Sequence, residues 1–151
     1  MNEYQDQIRR WWHLEKLLHR AIQAEMWLES VSLAYVLLEL RIRLLLRTKN
    51  VSKNEIDAQD YLVKLVNYAE TKGYLDATLA KEIREFNEIR RKAIHRLVLG
   101  SIEYKDIESA ARIYNSLTIP LQEAMGIKIE LGPEESYEEY LKRQKESGQS
   151  H

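Results

Sequence analysis

The sequence predicts an all-α protein, a single up-and-down helical bundle of four to five helices. Three observations predict it. Apolar residues recur at three- and four-residue spacing through successive segments, the period of one helix face. Five Gly and two Pro are few for 151 residues, and nearly all sit where an element would end. The chain is 44% hydrophobic and 31% charged, as expected of a soluble globular protein rich in helix, and its length is that of one domain with its own core. We place the bundle in residues 1–131, its core in 25–125, and a charged, partly disordered tail in 132–151.

The first helix is expected over residues 3–24, where Ile8, Trp11, Leu14, Leu18 and Ile22 share one face. Trp11 and Trp12 read as exposed aromatics. The second spans 26–48, with a break near Trp27 and Leu28, and is apolar almost all round: Val31, Leu33, Tyr35, Val36, Leu37, Leu38, Leu40, Ile42, Leu44 and Leu45 cover its circumference. A helix apolar on every side is buried on every side, so it is central or lies at a subunit interface. Residues 48–57 read as a polar loop. The third helix, 58–72, turns Leu62, Leu65, Val66 and Ala69 inward and ends at Gly73. Asp76 caps the fourth, 77–98, whose stripe is Leu79, Ile83, Phe86, Ile89, Ala93 and Leu97. Gly100 and Ser101 end it. The fifth runs over 105–125 with Ile107, Ala111, Tyr114 and Leu117 inward, and Pro120 is expected to kink it or end its regular part. Residues 127–131 alternate and read as extended, and 134–145 as a short helix.

Composition excludes several classes of function. Cysteine is absent, which removes disulfides and cysteine-ligated metals and fits a reducing cytoplasm. The apolar run over 33–38 is far too short to span a bilayer, and the polar N-terminus with Glu3 and Asp6 is unlike a signal peptide, so no membrane partner is expected. His13 and His19 are six residues apart, not the three or four that put two ligands on one helix face. Phosphate-binding glycine loops and nucleophile elbows are missing too, so neither a metal nor a cofactor is expected. With a net charge of −1, any nucleic-acid site must be a local patch.

The candidate patch is the end of the fourth helix, Phe86-Asn87-Glu88-Ile89-Arg90-Arg91-Lys92-Ala93-Ile94-His95. Arg90 falls near the middle of the apolar stripe, where a guanidinium needs an anionic partner. Glu39 falls on an inward face of the second helix, and a buried Glu39–Arg90 ion pair is expected. The alternative is that both side chains snorkel to the edge of the core. His95 lies about 140° round the helix from Arg90. It shares its side with Arg84, Asn87, Glu88 and Arg91, with Lys92 and Arg96 beside it. Two readings of this strip stand together. Basic residues near a helix C-terminus are favoured by its dipole and are commonly just solvated. Alternatively the strip cleaves RNA, which carries its own nucleophile, the 2′-OH. Such cleavage needs an acid or base that titrates near neutrality and a cation at the phosphorane. His and Arg supply these without a metal.

The segment resembles the signature of the HEPN superfamily, small helical bundles with an Arg-x(4–6)-His motif. Arg90 and His95 match it with four residues between, behind the apolar Ile89. The apolar second helix with Leu38-Glu39-Leu40, the loop, the Gly73 turn, the motif helix and the helix carrying Ile107 to Leu117 follow in the family's order, over roughly residues 25–125. The resemblance implies a homodimer whose motif helices line a shared cleft, and a metal-independent RNA endonuclease built from Arg90 and His95 of both subunits. In that site His95 is the general acid/base and Arg90 the phosphate stabiliser, with Asn87, Arg91, Lys92 and Arg84 supporting the RNA backbone. It also implies a defence, stress or toxin–antitoxin setting with a cognate antitoxin protein as partner. Arg91 stands where the family usually has a small polar residue, and Leu97 where its HepT-like toxins carry Tyr. The family includes non-catalytic members too, so the second reading is an inactive dimer module that binds a nucleotide or a partner protein.

Overall fold

The computed structural model describes residues 3–126 and, in the tail, 139, 142, 145 and 146. Six α-helices form in order: α1 (Glu3–Gln23), α2 (Trp27–Thr48), α3 (Lys53–Asp57), α4 (Leu62–Thr71), α5 (Ala77–Val98) and α6 (Glu108–Met125), with a 3-10 turn, Tyr104–Ile107, before the last. No strand occurs among the described residues. The all-helical expectation therefore holds, with one short helix more than the sequence indicated.

Four of the helices stop in the same way. After α1, α2, α4 and α5 the next two backbone N–H groups fold back onto carbonyls of the last turn, as in Ser101 N–H to Arg96 O (3.0 Å) and Gly100 N–H to Leu97 O (3.1 Å). This closure needs a left-handed residue at its centre. Gly73 and Gly100 supply it after α4 and α5, but Asn50 (φ +62°) and Glu25 (φ +56°) stand there after α2 and α1. The β-carbon of Glu25 makes that conformation costly. Glu25→Gly should therefore raise stability by about 1 kcal/mol, read as a higher midpoint of urea unfolding at unchanged slope. A drop in midpoint would mean that the Glu25 side chain contributes more than its backbone costs.

α2 is the central element and touches all the others. Val31, Ala34, Leu37, Leu38, Ile42, Leu45 and Leu46 on it are completely buried. All of these but Val31 meet Leu65 and Val66 of α4, Ile83 and Phe86 of α5, and Leu117 and Leu121 of α6 in one core. Trp27, Val31, Ile107, Ala110 and Ala111 form a smaller cluster at the other end. Of the two roles its composition allowed α2, the structure assigns the central one. Trp11 and Trp12 are 2% exposed, so they are core residues and not the surface aromatics expected. Trp11 faces inward, packed in the main core and over the Arg41 guanidinium of α2.

Local chemistry explains the remaining differences. The expected loop over 48–57 contains α3, because the Ser52 side chain accepts from Glu55 N and Val51 and Ile56 are buried. The next helix starts at Leu62 rather than 58, since residues 58 and 59 still close α3 and Tyr61 is extended (φ −150°). α6 continues through Pro120 to Met125. The carbonyl that Pro120 leaves unbonded belongs to Ser116, which is exposed and open to water. The readings made for 127–131 and for the tail lie outside the described residues, apart from the four tail positions, which are helical and exposed.

Candidate functional site

α5 is a helix of two halves. In the first half Leu79, Ala80, Ile83 and Phe86 are buried, and α4 covers one flank. α4 has only ten residues against twenty-two in α5, and its cover ends near Arg84, which binds Glu70 (3.4 Å) and Asn67 (3.1 Å). From Ile89 onward no residue of α5 is fully buried. Ile89 is 42% exposed, Val98 79% and Leu99, the capping residue, 67%. The stripe expected to run inward is thus only partly covered in the second half: Ile89 is exposed, while Ala93 is half-buried and Leu97 packs against the smaller cluster around Trp27 and Ile107.

An open depression of roughly 700 Å3 lies on this second half, lined by Glu88, Arg90, Arg91, Lys92, Ile94, His95 and Val98. Arg90 and His95 therefore share one concave surface despite lying on different sides of the helix. Arg90 is half-buried. Its guanidinium lies over the Tyr35 ring of α2, 4.0 Å from the centroid, and its Nη2 donates to Asn87 Oδ1 at 3.2 Å. Its Nε is buried with no acceptor. Lys92 and His95 are exposed on the rim.

The expected Glu39–Arg90 ion pair is not formed. Glu39 accepts from Arg43 one turn along α2 (3.1 Å), and Arg43 also reaches Asp57 (3.7 Å). Glu39 lies at the edge of the apolar stripe, where the nearest cation is its own i+4 neighbour. Among the supporting residues, Asn87 holds Arg90, Arg91 is paired with Glu88 (2.8 Å), and Lys92 lines the depression. Arg84 is drawn away to α4 and cross-links the two helices.

The buried charge cluster lies elsewhere, and the sequence reading missed it. Arg41 of α2 is 3% exposed and donates through Nη2 to Glu15 Oε1 of α1 (2.7 Å) and through Nε to the Tyr114 hydroxyl of α6 (2.7 Å). That hydroxyl in turn donates to Glu15 Oε1, which also accepts from Trp11 Nε1 (2.9 Å). Trp11 stacks on the same guanidinium at 4.9 Å. Burial pulls the Arg41 guanidinium down, but Tyr114 and Glu15 beside it outweigh this and hold it above its ordinary value. The signal was present: Arg41 follows Leu38 by three and precedes Leu45 by four, in the deepest stripe of α2.

No group of three His, Asp or Glu side chains suited to a metal ion occurs among the described residues, and none of their helices is long and apolar enough to cross a membrane. Comparison with protein-family models, curated proteins and solved structures gives no match to this chain.

Proposed function

We propose that the chain is a HEPN-like, metal-independent RNA endonuclease that works as a homodimer, with Arg90 and His95 at its centre. One observation carries this reading. Arg90 and His95 line a single open depression whose border is uncovered apolar surface, Val98 and beside it Leu99. A second copy of α5 laid against this surface buries those side chains and brings two pairs of Arg90 and His95 to one cleft. Across that cleft one His95 takes the proton of the 2′-OH as the O2′–P bond forms. The P–O5′ bond breaks, and the second His95 protonates the departing 5′ oxygen. Arg90 stabilises the charge on the phosphorane. The products are a 2′,3′-cyclic phosphate and a 5′-hydroxyl. A cytoplasmic setting with a cognate antitoxin belongs to the same family-based reading.

Trp11, Trp12 and most of the apolar residues of α2 are covered within a single chain, Val36 excepted, so they do not carry the dimer. It rests on the end of α5. Light scattering at micromolar concentration should give twice the chain mass, and the Val98→Glu, Leu99→Glu double variant should give the chain mass and lose cleavage. A wild-type monomer that still cuts RNA would remove the composite site. The direct test is incubation with RNA in EDTA, where cyclic-phosphate ends are expected and DNA, lacking the 2′-OH, should stay intact.

One observation favours the second reading, an inactive module that binds a nucleotide or a partner protein. Arg91 and Arg84, two of the expected RNA-binding cations, are already paired with Glu88 and Glu70. Wild-type protein that leaves RNA whole but binds a nucleotide would establish it.

A further inference from the structure

Arg90 shares with Arg20, Arg47 and Arg96 the lack of an ion-pair partner among the described residues, but of these four it is the one held by an aromatic face and a side-chain amide. Arg10, Arg41, Arg43, Arg84, Arg91 and Arg112 each lie within ion-pair distance of a carboxylate. Arg90 has no carboxylate partner among the described residues. It is held from below by the face of Tyr35 and from the side by the neutral amide of Asn87. These partners fix a guanidinium without neutralising it. A ring face takes none of the five N–H donors, which lie in the guanidinium plane, and Asn87 takes one. A carboxylate would have fixed the group equally well and cancelled its charge.

We infer that Tyr35 and Asn87 are positioning residues that hold the Arg90 guanidinium, fully charged, toward a phosphate group in the depression on α5. The inference deepens the endonuclease reading and rests on it for the identity of the phosphate. α2 supplies the platform because its buried face fixes the helix on which Tyr35 stands. Asn87 is one turn before Arg90 on α5, so its amide reaches Nη2 without any loop.

The test uses the whole protein and inorganic phosphate as probe. The Nε–H resonance of Arg90, assigned by its loss in Arg90→Lys, should lie upfield from the ring current of Tyr35 and should move as phosphate is added. Tyr35→Phe keeps the aromatic face and should behave as wild type. Tyr35→Leu should lose the upfield position and require about tenfold more phosphate, the scale of one cation–π contact. Asn87→Asp is nearly isosteric and gives Arg90 a carboxylate. It too should weaken phosphate binding about tenfold, which keeps the test decisive if Tyr35→Leu fails to fold. In RNA cleavage the same variants should lower kcat on the order of tenfold or more with KM changed far less, and Tyr35→Phe should restore it. A wild-type Arg90 that ignores phosphate, a Tyr35→Phe variant as impaired as Tyr35→Leu, or an Asn87→Asp variant that binds phosphate as well as wild type would each overturn the inference. Protein that binds phosphate in this pattern but leaves RNA uncut would remove the endonuclease reading and leave the positioning of an anion intact.

Discussion

Glu15→Leu should destabilise the bundle by about 3–5 kcal/mol, although Glu15 is one surface-reaching side chain on the outermost helix. The reason is the partner it leaves behind. Arg41 is 3% exposed and cannot shed its charge, and Glu15 is the carboxylate within its reach. One of its nitrogens, Nη1, already lacks a partner. Without Glu15 the Tyr114 hydroxyl and Trp11 Nε1 also lose their acceptor. Through the Tyr114 hydroxyl this cluster also ties α1 to α6. Adding Arg41→Met to Glu15→Leu should recover much of the loss, since an apolar pair leaves no buried charge. Chemical denaturation of both single variants and the double variant measures the coupling. Strict additivity, or a loss below about 1 kcal/mol for Glu15→Leu, would show that water reaches Arg41 readily.

The same cluster gives the fold a dependence on alkaline pH. Burial pushes the Tyr114 hydroxyl well above the ordinary tyrosine range; Arg41 opposes this and Glu15 adds to it. Below pH about 10 the tyrosine keeps its proton in both folded and unfolded chains, and its contribution is complete. Above that pH the unfolded chain releases the proton and the folded chain does not. Stability should therefore fall as pH rises toward the folded value. Tyr114→Phe should flatten this decline while costing some stability at neutral pH.

The helices were legible in the sequence because their signals are local. Asp76 caps α5 through Leu79 N (2.7 Å), as its position before an apolar stripe indicated, and Gly73 and Gly100 take the left-handed residues that end α4 and α5. What was not legible depends on neighbours distant in the chain. The wheel position of Arg90 indicated a buried partner, but only the packing of α5 against α2 decides that the partner is Tyr35 and not Glu39. Likewise Glu15 and Arg41 are 26 residues apart, and nothing periodic pairs them. Trp11 and Trp12 read as exposed aromatics, yet both are buried. The exposed end of α5 follows from the shortness of α4, a boundary that patterning placed within a few residues but whose consequence for cover lies in three dimensions.

His95→Ala should reduce RNA cleavage by roughly 10²–10⁴-fold, the range for loss of a general acid or base. His95 is exposed in the last turn of α5, and its side chain fills no core. The substitution should therefore shift unfolding by no more than about 0.5 kcal/mol, so that lost activity reads as lost chemistry. His19→Ala provides the control, an equally exposed histidine on α1 outside the depression, and should leave the rate unchanged. Arg90→Lys separates charge from shape. The ammonium keeps the charge but gives up the planar fork that lies on Tyr35, so it should bind RNA and cut it poorly. In a composite site, mixing wild-type and His95→Ala subunits gives a further result. If the cleft needs the His95 of both copies, one as base and one as acid, a mixed dimer is impaired and activity should fall with the square of the wild-type fraction. A linear fall would confine the chemistry to single chains, and full activity in His95→Ala would place the cleavage outside this depression altogether.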